Sequence, residues 1–427
     1  MSDRLIKPVK SLKGNLVLPG DKSISHRALI LSSLANGECK ITGLSDAVDV
    51  GNTLNCMRAL GVEIDNQGDV CTVKGKGMQG LSEPAQVLDA GNSGTTMRLL
   101  SGVLAAQPFT TEITGDESLC KRPMRRIIEP LELMGAQIES NDYKAPLKIR
   151  GNHLRAIDYA SPVASAQVKS CILLAGMYAR GLTRVTETSE SRNHTELMMR
   201  EFNVNIQFNP GMAGVRGPSE LVSTDINVPG DISAAAFFMI AASLLPDSEL
   251  VLPNVGFNLT RTGIWDALVA MGAQVTKDDE KDINHEPRVT LTTKSTTLMP
   301  THLSGSLIPR IIDEIPIIAV AATQAAGTTI IKDAGELRVK ESDRIKTVVD
   351  NLKRMKANIR EIKDGMIIDG PSKLRGAEID SFGDHRIAMA FTIAGLLAEG
   401  ETLIKNTACV DTSFPGFYEK LESLCEN

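Results

Sequence analysis

Polar and apolar positions change rhythm at residue 20. The stretch GDKSISHR (20–27) sets two cations, two serines and a histidine ahead of ALILSSLANG, whose positions are mostly apolar. Ile24, Ala28, Leu29, Ile30, Leu31 and Leu34 fall on nearly every side of a helix, which predicts burial all round rather than one apolar stripe. The same order of polar mouth, apolar body and short exit into a β-like run recurs down the chain. Further copies are NSGTTMRLLSGVLAAQPFTTEITG from Asn92, SAQVKSCILLAGMYARGLTRVTE from Ser165 and GDISAAAFFMIAASLLPDSELVLPN from Gly230. IDEIPIIAVAATQAAGTTIIKD from Ile312 and GDHRIAMAFTIAGLLAEGETLIKN from Gly383 complete the set.

An amphipathic segment follows each copy: NTLNCMRALGVEI, IIEPLELMGAQI, LMMREFNVNI, WDALVAMGAQV, VVDNLKRMKANI and YEKLESL. The period is roughly 70 residues, and self-similarity of that kind outweighs the reading of any single element. Each unit predicts a buried helix, a strand, a covering helix with one polar side, and two short strands such as VCTVKGKG (70–77) or PLKIRG (146–151). The fold class is therefore α/β (α+β in some schemes), with three units to a domain and two similar domains. VLPGD (17–21) and DINVPGD (225–231) resemble each other and interrupt the pattern with Pro and Gly. They read as paired hinges near 18–21 and 226–231, between an N-terminal domain of 21–227 and a C-terminal domain of 1–20 plus 228–427. Residues 1–20 are expected to supply a strand to the C-terminal domain.

Composition narrows the chemistry. Hydrophobic residues make up 42% and charged residues 23% of 427, the balance of a soluble globular protein. No apolar run is long enough for a membrane span, and MSDRLIKPVK lacks the apolar core of a signal peptide. The seven cysteines form no CxxC pair, which points to a reduced cytoplasmic setting. A net charge of −6 and 4% aromatics argue against nucleic-acid binding. The six histidines show no metal-ligand spacing, and neither GxGxxG nor GxxxxGK[ST] occurs, so no metal or cofactor is expected.

The helix mouths carry the candidate chemistry. They hold Lys22, Ser23 and Arg27; Asn92, Ser93, Gly94 and Thr95; Ser165, Gln167 and Lys169; Asp231 and Ser233; Asp313 and Glu314; Asp384, His385 and Arg386. Capping accounts for the hydroxyls, Asn and Asp. It does not account for Lys22, Arg27 and Arg386, because a cation at a helix N-terminus opposes the helix dipole. Something anionic should offset them, and a site for several phosphate or carboxylate groups is the natural reading. GDESLCKRPMRR (115–126) adds Arg122 before Pro123 at an expected helix start. ESRNHTE (190–196) adds Ser191 and Arg192. LRVKESDRIK (337–346) adds Lys340, Glu341 and Arg344, although alone it reads as a solvated helix face laced with ion pairs.

LPGDKSISHRALILSSLA, DAGNSGTTMRLLSG, GDESLCKRPM, SAQVKSCILLAG, RVKESDRI and DHRIAMAF closely resemble the 5-enolpyruvylshikimate-3-phosphate synthase family, in order and over essentially the whole chain. SLxxRPM and SAQVKS look like its second bacterial class. The resemblance implies the enolpyruvyl transferase inside-out barrel: two domains, each of three βαβαββ units with buried helices and outer sheets, closing over the substrates. It implies transfer of the enolpyruvyl group of phosphoenolpyruvate to the 5-hydroxyl of shikimate 3-phosphate through a tetrahedral ketal, by a cytoplasmic monomer that glyphosate inhibits. By position, Lys22, Ser23, Arg27, Ser165, Gln167, Ser191, Arg192, Asp313 and Lys340 would contact shikimate 3-phosphate. Lys22, Gly94, Arg122, Gln167, Arg344 and Arg386 would contact phosphoenolpyruvate, with His385 beside them as an orienting group. Asp313 matches the base near the 5-hydroxyl, Glu341 a group for proton transfer at C3, and Lys22 joins them as catalytic.

Departures from the family pattern are few. Many members carry a lysine just before the C-terminal Thr/Ser-Phe-Pro signature, whereas CVDTSFPGF has Asp411. Gly94 is the small residue of the glyphosate-sensitive type. The sister transferase that acts on UDP-N-acetylglucosamine has a cysteine where this chain has Glu117; Cys120 is out of register. A sliding-clamp ring, also a six-fold repeat, would need basic exposed helices rather than apolar ones.

Overall fold

The computed structural model describes residues 3–426. The six apolar segments form helices Lys22–Leu34, Gly94–Leu104, Ala166–Gly176, Ile232–Leu244, Ile315–Gln324 and His385–Leu397. Their burial follows from composition. Every residue of the first from Ile24 to Leu34 is buried, as is every residue of the fourth from Ile232 to Ser243. Such helices offer polarity only at their ends, and the sequence caps them there. Asp21, Ser93 and Ser165 accept from the backbone N–H three residues on, Asp231 and Asp384 from that two residues on. The fifth differs. A short helix, Ile308–Ile311, precedes it, and Asp313 lies in the turn between; Glu314 gives no side-chain cap, and Pro316 takes an early position that needs no N–H.

The sheets obey one rule. In the second, third and fifth units the opening strand runs parallel to the next, which pairs antiparallel with the last, as in Leu88–Asp89, Thr110–Thr114 and Lys144–Arg150. Outer helices such as Arg125–Met134 cover the package, burying Ile127, Ile128, Leu131 and Met134 while their other side meets solvent. The remaining units borrow strands. The first takes its opening strand from Leu221–Val222 and Ile226–Asn227, both parallel to Ala35–Thr42. The fourth takes Ser11–Asn15, parallel to Glu249–Gly256, and the sixth takes Arg4–Ile6, antiparallel to Thr402–Lys405. The expected single strand from the N-terminal residues is thus two strands in two sheets. After its outer helix, Phe417–Glu422, the sixth unit adds only Cys425–Glu426, paired with Ser11–Asn15, in place of a hairpin.

Contacts divide the chain into two compact units. One holds the chain up to Pro19, Gly230–Lys281 and everything from Pro287; the other holds Gly20–Pro229 and Asp282–Glu286. Each has its own continuous apolar core.

Two positions test this packing. A Cβ on Gly102 would stand 2.2 Å from the carbonyl oxygen of Cys171 on the neighbouring inner helix, and that oxygen is backbone. Gly102→Ala should lower stability by about 1–3 kcal/mol. Gly51, in outer helix Val48–Ala59, has nothing within 4 Å of such a Cβ, so Gly51→Ala should raise stability by about 0.5–1 kcal/mol. Denaturant midpoints of the two variants should move in opposite directions.

His26 gives a pH test. It is fully buried, its Nδ1 lies 2.7 Å from Thr53 Oγ1, and Nε2 has no partner among the described residues. Burial first, then the charges of Lys22 and Arg27, hold its pKa well below 6.5. The unfolded chain then binds a proton that the folded chain refuses, so stability falls as pH drops below about 6.5. Between pH 7 and about 5.5 the denaturant midpoint of His26→Gln should fall less than that of the unaltered protein.

Candidate active site

In the unit of Gly20–Pro229, three inner-helix mouths carry the predicted groups. Lys22 Nζ is 2.8 Å from Asp49 Oδ2, so part of the anion that its position demands comes from the chain itself. Asp49 lies in the first turn of the outer helix, where a carboxylate suits the dipole. Arg27 is buried one turn further in. It donates to Ser23 O at 2.8 Å, Thr195 Oγ1 at 2.6 Å and Ser170 Oγ at 2.8 Å, which fixes the Ser23 turn against the third unit.

Gly94 begins the second inner helix with room for little else. A Cβ there would stand 2.9 Å from Arg98 Nη1 and 3.4 Å from Arg122 Nη1. Arg98 donates to Gln167 Oε1 at 2.5 Å, and Gln167 Nε2 donates to Thr95 Oγ1 at 3.0 Å, so the second and third mouths are stitched through one amide. Arg122 was expected at a helix start. It lies instead in the turn between helices Glu117–Cys120 and Arg125–Met134, because Pro123 and the Met124 cap delay the second helix. From there it donates to Asn92 Oδ1 at 2.8 Å. Ser165 caps the third inner helix, and Ser191 Oγ donates to Glu187 Oε2 at 2.8 Å, with Arg192 next along the same loop.

The unit that begins at Gly230 gathers its groups around Arg344. The LRVKESDRIK segment is no solvated face: it is a 3-10 turn, Gly335–Val339, then a loop, then helix Arg344–Arg354 capped by Asp343. Arg344 is only 1% exposed. Its guanidinium donates to Glu341 Oε2 at 2.6 Å, Asp313 Oδ1 at 3.3 Å, and Asp384 Oδ2 and Oδ1 at 2.8 and 3.2 Å. Burial opposes its charge, but Asp384 and Glu341 override this and raise its pKa above the ordinary value. Asp384 also caps the sixth inner helix and accepts from Ser342 Oγ at 3.0 Å. Lys340 Nζ approaches Asp313 Oδ1 at 3.7 Å. Two partly exposed carboxylates, Asp313 and Glu341, are thereby brought to one cation with a lysine beside them. Arg386 reaches Ser233 O at 3.4 Å and Glu314 at 4.0 Å, and His385 is buried next to it. Asp411 is exposed in the 3-10 turn Thr407–Thr412.

Sequence reading missed Asp49, Arg98, the pairing of Lys169 with Glu187 and Glu196, and the part played by Asp384 as counter-ion. A signal existed for some of them. Carboxylates in the first turn of three outer helices meet cations: Asp49 with Lys22, Glu196 with Lys169 and Asp266 with Arg310. Among the described residues, no helix is long and apolar enough to cross a membrane, and no group of three or more His, Cys, Asp or Glu is arranged to hold a metal ion.

Comparison with known proteins gives the same picture. The model of the family "EPSP synthase (3-phosphoshikimate 1-carboxyvinyltransferase)" matches residues 6–421. A 3-phosphoshikimate 1-carboxyvinyltransferase of Bacillus cereus (strain B4264) is 51% identical, with 100% of both chains covered. One of Geobacter sp. (strain M21) is 49% identical, again over 100% of both. The solved structure of the EPSP synthase of Acinetobacter baumannii superposes with a TM-score of 0.88 at 44% identity, over 99% of this chain and 98% of that one. Six repeated units, helix mouths rich in cations and a match from end to end place this chain in the EPSP synthase family.

Proposed function

We propose that the chain transfers the enolpyruvyl group of phosphoenolpyruvate to the 5-hydroxyl of shikimate 3-phosphate, releasing inorganic phosphate, as a cytoplasmic monomer of two domains (21–227, and 1–20 plus 228–427) with no membrane or nucleic-acid partner. Family membership over the whole length supports the reaction, and the Asp313–Arg344–Glu341 arrangement is the observation that carries the assignment of roles. Addition forms a bond from the 5-oxygen to C2 of phosphoenolpyruvate while C3 takes a proton. Elimination then breaks the C2–O bond to phosphate as a C3 proton leaves, restoring the double bond.

Asp313 accepts the 5-hydroxyl proton, with Lys340 and Arg344 as its cationic neighbours. Glu341 exchanges the proton at C3, held in place by Arg344. Lys22 stabilises charge on the ketal and its leaving phosphate. Arg122, Arg344, Arg386, Gln167 and the Gly94 turn receive phosphoenolpyruvate; arginine forks suit its carboxylate and phosphate. Lys22, Ser23, Arg27, Ser165, Gln167, Ser191, Arg192, Asp313 and Lys340 receive shikimate 3-phosphate. The reading calls for no metal or cofactor.

Phosphate release from phosphoenolpyruvate, run with shikimate 3-phosphate and in parallel with UDP-N-acetylglucosamine, tests the reaction. Release is expected with the first acceptor alone, and Lys22→Ala should slow it by about 100-fold or more. Release with the sugar nucleotide would mean the right fold and the wrong acceptor.

Glyphosate belongs to the same proposal, because the space at Gly94 is bounded by two guanidinium groups. Gly94→Ala should raise the glyphosate inhibition constant by about tenfold or more, about 1.4 kcal/mol. The KM for phosphoenolpyruvate should rise less, and equal losses would sink this account of Gly94.

A further inference from the structure

The third inner helix buries a charge that the reaction does not use. Lys169 Nζ lies 2.9 Å from Glu187 Oε2, 2.8 Å from Glu196 Oε1 and 3.3 Å from the carbonyl oxygen of Ser191. Side-chain exposure is 4% for Lys169, 1% for Glu187 and 2% for Glu196, so one ammonium and two carboxylates are held away from water. Burial pulls the lysine pKa down, but Glu196 and Glu187 more than reverse this, and it stays charged. Apolar residues of similar volume would often serve stability as well or better, which makes a purely structural purpose a poor explanation.

Glu187 shows what the cluster does. Its Oε1 accepts the backbone N–H of Ser165 at 3.0 Å; its Oε2 accepts Ser191 Oγ–H at 2.8 Å and Ser191 N–H at 3.4 Å. One carboxylate therefore sets the relative position of a helix cap and a loop serine. The two hydroxyls are not equivalent. Ser165 Oγ accepts from Val168 N–H at 3.4 Å, which leaves its hydrogen available. Ser191 has one hydroxyl hydrogen, and Glu187 holds it. A phosphate dianion offers acceptors only, so Ser191 serves it by turning that hydrogen away from Glu187. The carboxylate then depends on the ammonium of Lys169 and the two backbone N–H groups to remain satisfied.

We infer that Lys169 and Glu187 are a phosphate-positioning pair: Glu187 holds Ser165 and Ser191 in register, and Lys169 stabilises Glu187 when the Ser191 hydroxyl turns to the 3-phosphate of the acceptor. This rests on the roles given above to Ser165 and Ser191. Both residues act through those serines and are positioning residues. Glu196 is the second counter-ion that anchors Lys169 from the outer helix His194–Glu201.

The test is calorimetric binding of shikimate 3-phosphate and of shikimate, which lacks the phosphate, to the full chain and to Glu187→Gln and Lys169→Met. Glu187→Gln keeps the shape but turns one acceptor into a donor, which faces either the ammonium or the Ser165 N–H. Each variant should bind shikimate 3-phosphate roughly tenfold or more weakly, with affinity for shikimate changed by less than about twofold. The KM for phosphoenolpyruvate should stay within about twofold as well. Lys169→Met/Glu196→Gln removes one charge of each sign and keeps Glu187, so it guards against a fold lost through charge imbalance; it should show the same phosphate-specific loss. Equal weakening for both ligands, or unchanged affinity for shikimate 3-phosphate, would overturn the pair. An unaltered protein that fails to prefer shikimate 3-phosphate over shikimate would instead overturn the reading of the serines, and the pair's role with it.

Discussion

A helix apolar on every side can be polar only where its backbone runs out. That constraint governs this molecule. Six helices meet it, and five close their first turns with an Asp or Ser side chain. What the caps leave over, a partial positive charge and unused N–H groups, is where Lys22, Gly94, Gln167 and Arg386 stand. The apolar bodies also hold these groups still, since close packing leaves the helices few ways to shift. Chemistry at the ends is thus a consequence of burial along the middle.

The two units manage their cations differently. Lys22 meets the Asp49 carboxylate, while Arg27 donates to two hydroxyls and one carbonyl oxygen. Around Arg344 three carboxylates share one guanidinium, with Lys340 beside Asp313. The first kind of arrangement suits an anionic group. Proton transfer suits the second, where two of the carboxylates, Asp313 and Glu341, are held by a cation but remain partly exposed.

Much of this was legible in the sequence, for a physical reason. All-round apolar helices leave a pattern that no exposed segment imitates, so the six copies, the caps at Ser93, Ser165, Asp231 and Asp384, and the mouth residues could be read directly; Asp21 and the uncapped fifth helix could not. LRVKESDRIK misled because alternating charges look alike on a solvated face and around a buried hub; only its neighbour Asp384, far along the chain, tells them apart. The borrowed strands were half visible, because two-residue pairings such as Leu221–Val222 have no periodicity to detect. Lys169, Glu187 and Glu196 fall in three successive elements, and nothing in spacing alone announces that they meet.

The borrowed strands also bear on the order in which the chain can be completed during synthesis. The unit of Gly20–Pro229 borrows Leu221–Val222 and Ile226–Asn227 for its first sheet, so all six of its inner and outer helices and their sheets are made within one continuous stretch. Arg4–Ile6 and Ser11–Asn15 emerge first, yet their partners at Thr402–Lys405 and Glu249–Gly256 emerge much later. Joining such distant ends adds little entropy per added residue, because that cost grows only with the logarithm of length. The waiting time is the greater burden, since the earliest strands on the ribosome have edges to protect until the last repeat arrives.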